Sequence, residues 1–260
     1  MRCSEIITRL ELLSPPSFAE NWDNVGLLVG RMDQDISSVY IALDVTDKVI
    51  EEAIQCGADM IITHHPLIFS GLKSITEEDF IGRRVRKMIG EDICYYAMHT
   101  NFDVLGMADA AAEELALANM QVLHTTFEDD ISKEGFGRYG RLPRAMTLQE
   151  CARYVKKQFG LENVLVYGNL HEMVEIAAVC PGSGKDFMSD AIKVGADVYI
   201  TGDISHHAGI DAVAQNLMVI DAGHYGIEKI FIPYMKDFMK KQMPSVKVFT
   251  EEIKNPYVVI

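Results

Sequence analysis

The sequence has no apolar run that could cross a membrane and no continuous apolar segment at its start. A membrane-spanning helix needs about 18 or more consecutive apolar residues, and no stretch of the 260 residues reaches that length. The first segment, MRCSEIITRLELL, is interrupted by Glu5, Arg9 and Glu11, so it lacks the apolar core of a secretory signal. We therefore expect a soluble, cytoplasmic protein with no membrane partner.

Cysteine is scarce, and its spacing excludes two kinds of site. The five cysteines are odd in number and widely spread, and none forms a C-x-x-C pair. This usage argues against a disulfide framework and against a thiolate metal site. It fits a reducing cytoplasm, and Cys94, inside an apolar run, is interpreted as a core residue.

Positive charge is also in short supply. The chain has 24 Lys and Arg against 38 Asp and Glu, which gives a formal net charge of −14. Such a charge repels the phosphates of nucleic acids, which argues against general nucleic-acid binding unless a local basic patch overrides it. The basic cluster over 83–87 falls in a predicted helix and is typical of a solvated face.

Buried strands alternate with helix-length segments along the chain. Six runs are continuously apolar, which is typical of strands buried on both faces of a sheet. They are VYIALDV (39–45), DMIIT (59–63), ICYYAM (93–98), EIAAVC (175–180), DVYIT (197–201) and LMVID (217–221). Helices are predicted over 47–56, 77–89, 107–117, 186–194 and 204–215. The alternation predicts an α/β fold with mostly parallel sheets.

Two segments of the sequence repeat each other. IQCGADMIIT (54–63) and IKVGADVYIT (192–201) share an isoleucine, Gly-Ala-Asp, a further isoleucine and a threonine in register. A helix that ends in glycine before a strand is a common connection, so chance or convergence is the alternative explanation for the repeat. We favour the interpretation that the chain has two related α/β halves. We predict a first lobe over 1–120, an irregular connector over 121–170 and a second lobe over 171–260. The three parts would form one intertwined unit with no inserted extra domain.

Histidines and carboxylates follow the predicted strands at the edge where functional groups of α/β sheets gather. His64 and His65 end the strand of ITHHP, and HTNFD places His99 and Asp103 after the next strand. Consecutive side chains of a strand point to opposite faces, so the histidine pair suggests two neighbouring ions. The alternative is that both histidines cap the strand through hydrogen bonds.

The second half supplies a matching set of side chains. In DAGHYGIE, His224 and Glu228 are four residues apart and would share one helical face. TGDISHH adds Asp203, His206 and His207. The candidate ligands are therefore His64, His65, Asp103, His224 and Glu228, with Glu228 as the candidate bridge. Imidazole and carboxylate without thiolate suit zinc, iron or manganese, so we predict two divalent ions in the cleft between the halves.

The motifs ITHHP, HTNFD, TGDISHH and DAGHYGIE, with NWDNVGLLVG near the start, resemble those of a dinuclear-metal family. This is the family known as type 2 GTP cyclohydrolase I, or Nif-three-like proteins, and the resemblance runs from the first helix to the last strand. It implies that the five candidate ligands hold a dinuclear centre between two α/β halves. It also implies a ring-shaped homohexamer and, as activity, opening of the guanine ring of GTP.

The converging donors predict a metal-dependent hydrolase. Two cations would lower the pKa of a bridging water from about 15.7 toward 7, which supplies hydroxide without a protein nucleophile. His99, Asp203, His206 and His207 are the candidates for proton transfer or ligand orientation. The substrate would be an unidentified small molecule, such as a nucleotide. The rival hypothesis is a metal-binding scaffold, metal chaperone or regulatory protein without turnover, whose ligands would be the same.

Three further features have simpler interpretations. PGSGKD (181–186) lacks the first glycine and the hydroxyl residue of a phosphate-binding loop, so it is interpreted as a tight turn. GFGRYG (135–140) is followed by Arg-Leu-Pro instead of a helix, so its dinucleotide-loop spacing is interpreted as accidental. Trp22, the only tryptophan, is interpreted as part of a hinge between the first helix and the first strand.

Overall fold

The structure, a computed structural model, describes residues 1–260 and divides into two compact units. The first unit comprises Met1–Phe102 and Phe231–Ile253, and the second comprises Asp103–Ile230 and Lys254–Ile260. The chain therefore leaves the first unit after Phe102, builds most of the second, and returns at Phe231 to complete the first.

Eleven strands and ten α-helices form these units. The strands are β1 (Gly26–Val29), β2 (Ser38–Ala42), β3 (Met60–Thr63), β4 (Cys94–Ala97), β5 (Ala118–Glu128), β6 (Lys133–Thr147), β7 (Leu165–Tyr167), β8 (Met173–Ser183), β9 (Val198–Gly202), β10 (Met218–Asp221) and β11 (Lys247–Thr250). The helices are α1 (Cys3–Leu13), α2 (Asp47–Gln55), α3 (Phe80–Gly90), α4 (Thr100–Phe102), α5 (Ala108–Glu114), α6 (Leu148–Gln158), α7 (Met188–Lys193), α8 (His206–Ala214), α9 (His224–Glu228) and α10 (Phe231–Gln242). A π-helix over Asp103–Met107 joins α4 to α5. None of the helices is both long and apolar enough to cross a membrane.

The sheet of the first unit has the strand order β1-β4-β3-β2-β11. Strands β4, β3, β2 and β11 run parallel to one another, and the edge strand β1 is antiparallel to β4. Every residue of β2, β3 and β4 is buried, as continuous apolar runs predict for strands covered on both faces.

The sheet of the second unit has the order β5-β6-β8-β9-β10-β7. Strands β8, β9 and β10 form a parallel centre, while β5, β6 and β7 pair in antiparallel fashion at the two sides. Residues of β9 and β10 are all buried. The predicted α/β fold, with two sheets whose buried strands run parallel, is therefore confirmed.

The repeated Gly-Ala-Asp segments have the same local structure in both units. Gly57 and Gly195, which follow α2 and α7, have φ angles of 68° and 72°, a conformation that glycine adopts without strain. Asp59 and Asp197 precede β3 and β9. Each accepts hydrogen bonds from two consecutive backbone N–H groups at the neighbouring parallel strand, β2 or β8. The donors are Ser37 and Ser38 for Asp59 (2.8 and 3.0 Å) and Glu175 and Ile176 for Asp197 (2.8 Å each). This shared connection is the structural basis of the sequence repeat.

The stretch predicted as an irregular connector, residues 121–170, is regular. It contains most of β5 together with β6, α6 and β7, and β5 and β6 form a long antiparallel hairpin. Strand β5 is largely exposed, so its sequence lacks the apolar run that marks a buried strand. The predicted lobe boundaries at 120 and 170 also differ from the units of the structure, since the second unit begins at Asp103 and residues 231–253 belong to the first.

Candidate metal-binding groups

Three histidines of the first unit form one cluster, which we term the first donor group. His64 and His65 follow β3, and His99 follows β4, the adjacent parallel strand. The ring centroids are 4.9 to 5.6 Å apart, and one ring nitrogen from each histidine lies within 4.8 Å of the others. The carboxyl ends of two neighbouring strands therefore bring three imidazoles together.

His64 and His65 do not point to opposite faces, as the alternation of a regular strand would require. Strand β3 ends at Thr63, so strand geometry does not extend to the two histidines. Their rings lie side by side, with 46° between the ring planes. The expected opposite orientation is therefore wrong, and the suggestion of two neighbouring ions stays a prediction.

Each histidine of the first donor group has its Nδ1 atom fixed by an oxygen. These hydrogen bonds run from His64 to the carbonyl oxygen of Met98 (2.8 Å), from His65 to Asp44 (2.9 Å) and from His99 to Asp23 (2.9 Å). A carbonyl oxygen only accepts, so Nδ1 of His64 donates, and in the neutral ring Nε2 then carries the lone pair. Metal-ligating histidines have this arrangement, because the outer bond fixes both the tautomer and the ring orientation.

Asp23 and Asp44 are site residues that sequence reasoning missed. The Asp23 carboxylate has no exposed surface and accepts hydrogen bonds from His99 and from the N–H (3.0 Å) and hydroxyl (2.5 Å) of Thr100. Burial raises the pKa of Asp23, but these hydrogen bonds outweigh burial and lower the pKa to about 2. The carboxylate stays ionised and orients His99. Asp44 follows β2 at the same sheet edge, so the tendency of functional groups to gather after the carboxyl ends of strands could have identified it. Asp23 lies in an irregular loop, where no such pattern applies.

In the second unit, Glu228 lies near both Asp103 and His224, and we term these three residues the second donor group. His224 and Glu228 are one turn apart on α9, and Nε2 of His224 lies 2.9 Å from Oε2 of Glu228. On its other side, Nδ1 of His224 donates to Asp203 (2.8 Å). Burial lowers the pKa of His224, but the hydrogen bonds to Glu228 and Asp203 outweigh burial and raise the pKa to about 9. The two carboxylates therefore favour positive charge at this position.

Asp103 begins the π-helix, a rare form that occurs often at functional sites. One of its carboxylate oxygens lies within 4.8 Å of an oxygen of Glu228. The buried Glu228 side chain fits against Gly182, where an added Cβ would lie 2.3 Å from Oε1. The PGSGKD segment forms the end of β8 and the start of a 3-10 helix over Gly184–Phe187, so its interpretation as a tight turn is wrong. Gly182, with a φ of 70°, leaves room for Glu228.

Arg138, in the GFGRYG segment, holds the π-helix in place. Its guanidinium is almost fully buried and donates to the carboxylate of Asp109 (2.5 and 2.9 Å) and to the carbonyl oxygen of Val104 (3.3 Å). Val104 directly follows Asp103, so these bonds fix the backbone beside a predicted ligand. The segment lies within β6, which confirms that its dinucleotide-loop spacing is accidental.

The four predicted catalytic residues have different surroundings. His99 joins the first donor group, and Asp203 orients His224. His206 and His207 lie exposed in the first turn of α8, where their rings contact each other at 5.3 Å. Neither belongs to a donor group, so their predicted role stays a prediction.

The fold and the donor groups define a class of protein: a two-unit α/β protein with histidine–carboxylate groups that could hold metal ions. The chain belongs to the family described as Duf34/NIF3 (NGG1p interacting factor 3), whose model matches residues 1–256. This membership confirms the resemblance that the histidine motifs carry.

Relatives and solved structures agree with this assignment. The GTP cyclohydrolase 1 type 2 homolog of Clostridium perfringens is 35% identical over 261 residues, covering 99% of each chain. A Bacillus cereus protein related to NIF3 has a similar structure, with a TM-score of 0.90 and 26% identity over 100% of this chain and 99% of that chain. Reduced HcgD from Methanocaldococcus jannaschii has a TM-score of 0.83 and 31% identity, covering 96% and 97% of the two chains.

Proposed function

We propose that this protein is a metal-dependent hydrolase that acts on a nucleotide or a related small molecule. Two divalent ions would be held by His64, His65, Asp103, His224 and Glu228. One observation carries the proposal: in both donor groups, every histidine has its Nδ1 atom held by a backbone or carboxylate oxygen. This pattern is typical of histidines that bind a metal through Nε2.

The donor chemistry fits zinc, iron or manganese. All donors are imidazole nitrogens or carboxylate oxygens, and the five cysteines are absent from both groups. When bound, two such ions would polarise a substrate oxygen and lower the pKa of a bound water toward 7. The protein itself supplies the orientation of the ligands and an anionic environment at His224.

His99 is the residue that we propose for proton transfer. Asp23 holds its Nδ1 atom, and one ring nitrogen of His99 lies within 4.8 Å of ring nitrogens of His64 and His65. A histidine oriented by a buried carboxylate is a common general acid or base. Asp203 has the corresponding orienting role for His224.

GTP is the first substrate to test, because several relatives carry the name GTP cyclohydrolase 1 type 2 homolog. Ring opening of guanine begins with attack of water on the imidazole ring, which is chemistry that a metal-activated water can perform. Other nucleotides, phosphoesters and cyclic amidines are also hydrolysed by attack of hydroxide. They complete the set of substrates to be assayed.

The experiment compares metal binding and turnover in the same protein samples. Metal-free protein is titrated calorimetrically with zinc, manganese and ferrous iron, and the reconstituted protein is assayed against the substrate set. Glu228→Ala should weaken metal binding by more than about 100-fold, since it removes a direct ligand and not only an outer partner, and should abolish turnover. Glu162→Ala, an exposed glutamate of the same unit, is the matched control and should change neither.

Two outcomes would contradict the proposal. Binding of metal without turnover on any substrate would favour the non-enzymatic scaffold over the hydrolase. Absence of metal binding in the wild-type protein would refute both hypotheses.

A further inference from the structure

Two exposed aromatic side chains lie beside the first donor group. Trp22 is 57% exposed and Phe69 is 52% exposed. Their ring centroids are 5.6 Å apart with 35° between the planes, and each contacts the His99 ring edge-on, at 6.1 and 6.2 Å. The three rings therefore form one continuous aromatic surface that runs from solvent to the histidine cluster.

Hydrogen bonds fix the loops that carry these rings. Asp23, next to Trp22, is held by His99 and Thr100. The side-chain amide of Asn24 donates to the carbonyl oxygen of Ile68, next to Phe69, at 2.5 Å. Hydrogen bonds therefore connect the two loops to each other and to the first donor group. The backbone positions that expose the two rings are fixed by these bonds.

The size and shape of the surface indicate its ligand. Two exposed rings provide far less area than the roughly 1,000 Å² that a specific protein interface buries. They do provide flat π-faces, on which planar rings stack in an offset arrangement. Every nucleobase has such a face, and stacking on exposed aromatic side chains is a common way to bind one.

We infer that Trp22 and Phe69 form a stacking platform for a planar heteroaromatic ring of the substrate, such as a nucleobase. The inference rests on the proposed function and names the substrate class of that site. Because His99 touches both platform rings, a bond within or next to the stacked ring would lie beside the residue that we propose for proton transfer. Substrates without an aromatic ring would lack this contact.

Trp22 makes the test direct, because it is the only tryptophan of the chain. Zinc-loaded protein is titrated with guanosine and adenosine, with ribose as the non-aromatic control. Tryptophan fluorescence is excited at the red edge of its absorption, where nucleosides do not absorb. Both nucleosides should quench the fluorescence saturably, and ribose should leave it unchanged.

Phe69→Ala removes one platform ring and keeps the reporter. It should weaken nucleoside binding about tenfold, within the range that loss of one base–aromatic stack produces. Phe80→Ala removes an equally exposed ring, 52% accessible, on α3 of the same unit and should leave the affinity unchanged. Unchanged nucleoside affinity in Phe69→Ala, or equal quenching by ribose, would overturn the inference.

Repeating the titration with metal-free protein separates the platform from the metal site. Nucleosides should still quench Trp22, since both rings remain in place. If zinc-dependent hydrolysis is found while Phe69→Ala changes neither KM nor nucleoside affinity, the platform is refuted and the hydrolase stands. If nucleosides bind through Phe69 but no metal binds, the platform stands and the hydrolase is refuted.

Discussion

Aspartate carboxylates fix three of the four histidines in the two donor groups. Asp44 holds His65, Asp23 holds His99, and Asp203 holds His224. Asp203 itself has a left-handed backbone, with φ of 57°, a conformation that aspartate and asparagine tolerate better than most residues. The backbone turn after β9 and the orientation of a predicted ligand therefore depend on one residue.

Asp203→Asn tests this dependence while preserving the backbone. Asparagine tolerates the left-handed conformation but removes the negative charge beside His224, so we expect zinc affinity to fall about 10- to 100-fold. Calorimetric titration of metal-free protein measures the effect. Asp92→Asn is the control, because Asp92 also has a positive φ (53°) but pairs with Arg31 on the surface. Equal zinc affinity in the two variants would refute the orienting role.

Asp59 supports the fold and makes its stability depend on pH. Burial raises the pKa of Asp59, but hydrogen bonds from Ser37 and Ser38 outweigh burial and hold the pKa below 3.8. A carboxyl group whose pKa is lower in the folded state stabilises the protein above its unfolded-state pKa. That contribution is lost as the pH falls through the folded-state value.

Asp59→Ala should therefore lower the free energy of unfolding by about 2 kcal/mol at neutral pH, because two backbone N–H groups lose a charged acceptor. The difference from wild type should shrink as the pH falls below 3.8. Urea unfolding at several pH values measures both effects, and Asp130→Ala, an exposed loop carboxylate, is the control. A difference that does not change with pH would contradict the argument.

At the scale of elements, the π-helix over Asp103–Met107 depends on strand β6. Arg138 donates to the carbonyl oxygen of Val104 and to Asp109 at the start of α5, and to two carbonyl oxygens of its own strand. An unusual helical turn is thereby held at both of its ends by one buried guanidinium. The strand supports the π-helix and, through it, the position of Asp103.

Arg138→Met should lower the free energy of unfolding by about 1–3 kcal/mol, because buried backbone carbonyl oxygens lose their hydrogen-bond donor. It should also weaken zinc binding, since the backbone that carries Asp103 loses its support. Arg141 lies in the same strand as Arg138 and forms an exposed ion pair with Glu175 of β8. Arg141→Met removes this pair and should lower the free energy of unfolding by less than about 1 kcal/mol. Urea unfolding and calorimetry give the two readouts, and similar values for both variants would contradict the proposed support.

Gly182, near the end of β8, provides a second test at this scale. Gly182→Ala would place a Cβ against Oε1 of Glu228 and would force a φ of 70° on alanine, so zinc affinity should fall along with stability. Gly160→Ala imposes a similar φ of 59° with nothing within 4 Å of the added Cβ. It should lower the melting temperature but leave zinc affinity unchanged, and a loss of zinc affinity in Gly160→Ala would contradict this explanation.

The elements that the sequence predicts and those that it misses differ in burial. The six apolar runs all form strands, because a strand covered on both faces needs apolar residues throughout. Strands β5 and β11 are largely exposed or half-buried, so they carry no such run and escape prediction. In the site, strand ends place most of the histidines, whereas the Asp23–His99 bond joins residues 76 positions apart and follows no local pattern.

At the scale of the whole molecule, the resemblance to the dinuclear-metal family leads us to propose a homohexamer. Several large apolar side chains are strongly exposed in the single chain, among them Leu12 (79%) and Ile131 (94%). Exposed apolar side chains that form a contiguous patch often mark a protein–protein interface. We expect light scattering coupled to size-exclusion chromatography to give about six times the chain mass of 29.1 kDa. A single species at the mass of one chain would refute the assembly.

The insertion of the second unit between Phe102 and Phe231 has a consequence for biosynthesis. Strand β11 completes the first sheet beside β2, and Glu251 accepts a hydrogen bond from the backbone of Leu43 at 2.7 Å. At ribosomal speeds of about 5–20 residues per second, residues 103–230 take on the order of ten seconds to translate. Throughout that interval the nascent chain carries an unpaired edge on β2, the kind of edge on which aggregation starts, so chaperone demand should peak before the carboxyl-terminal strand leaves the exit tunnel.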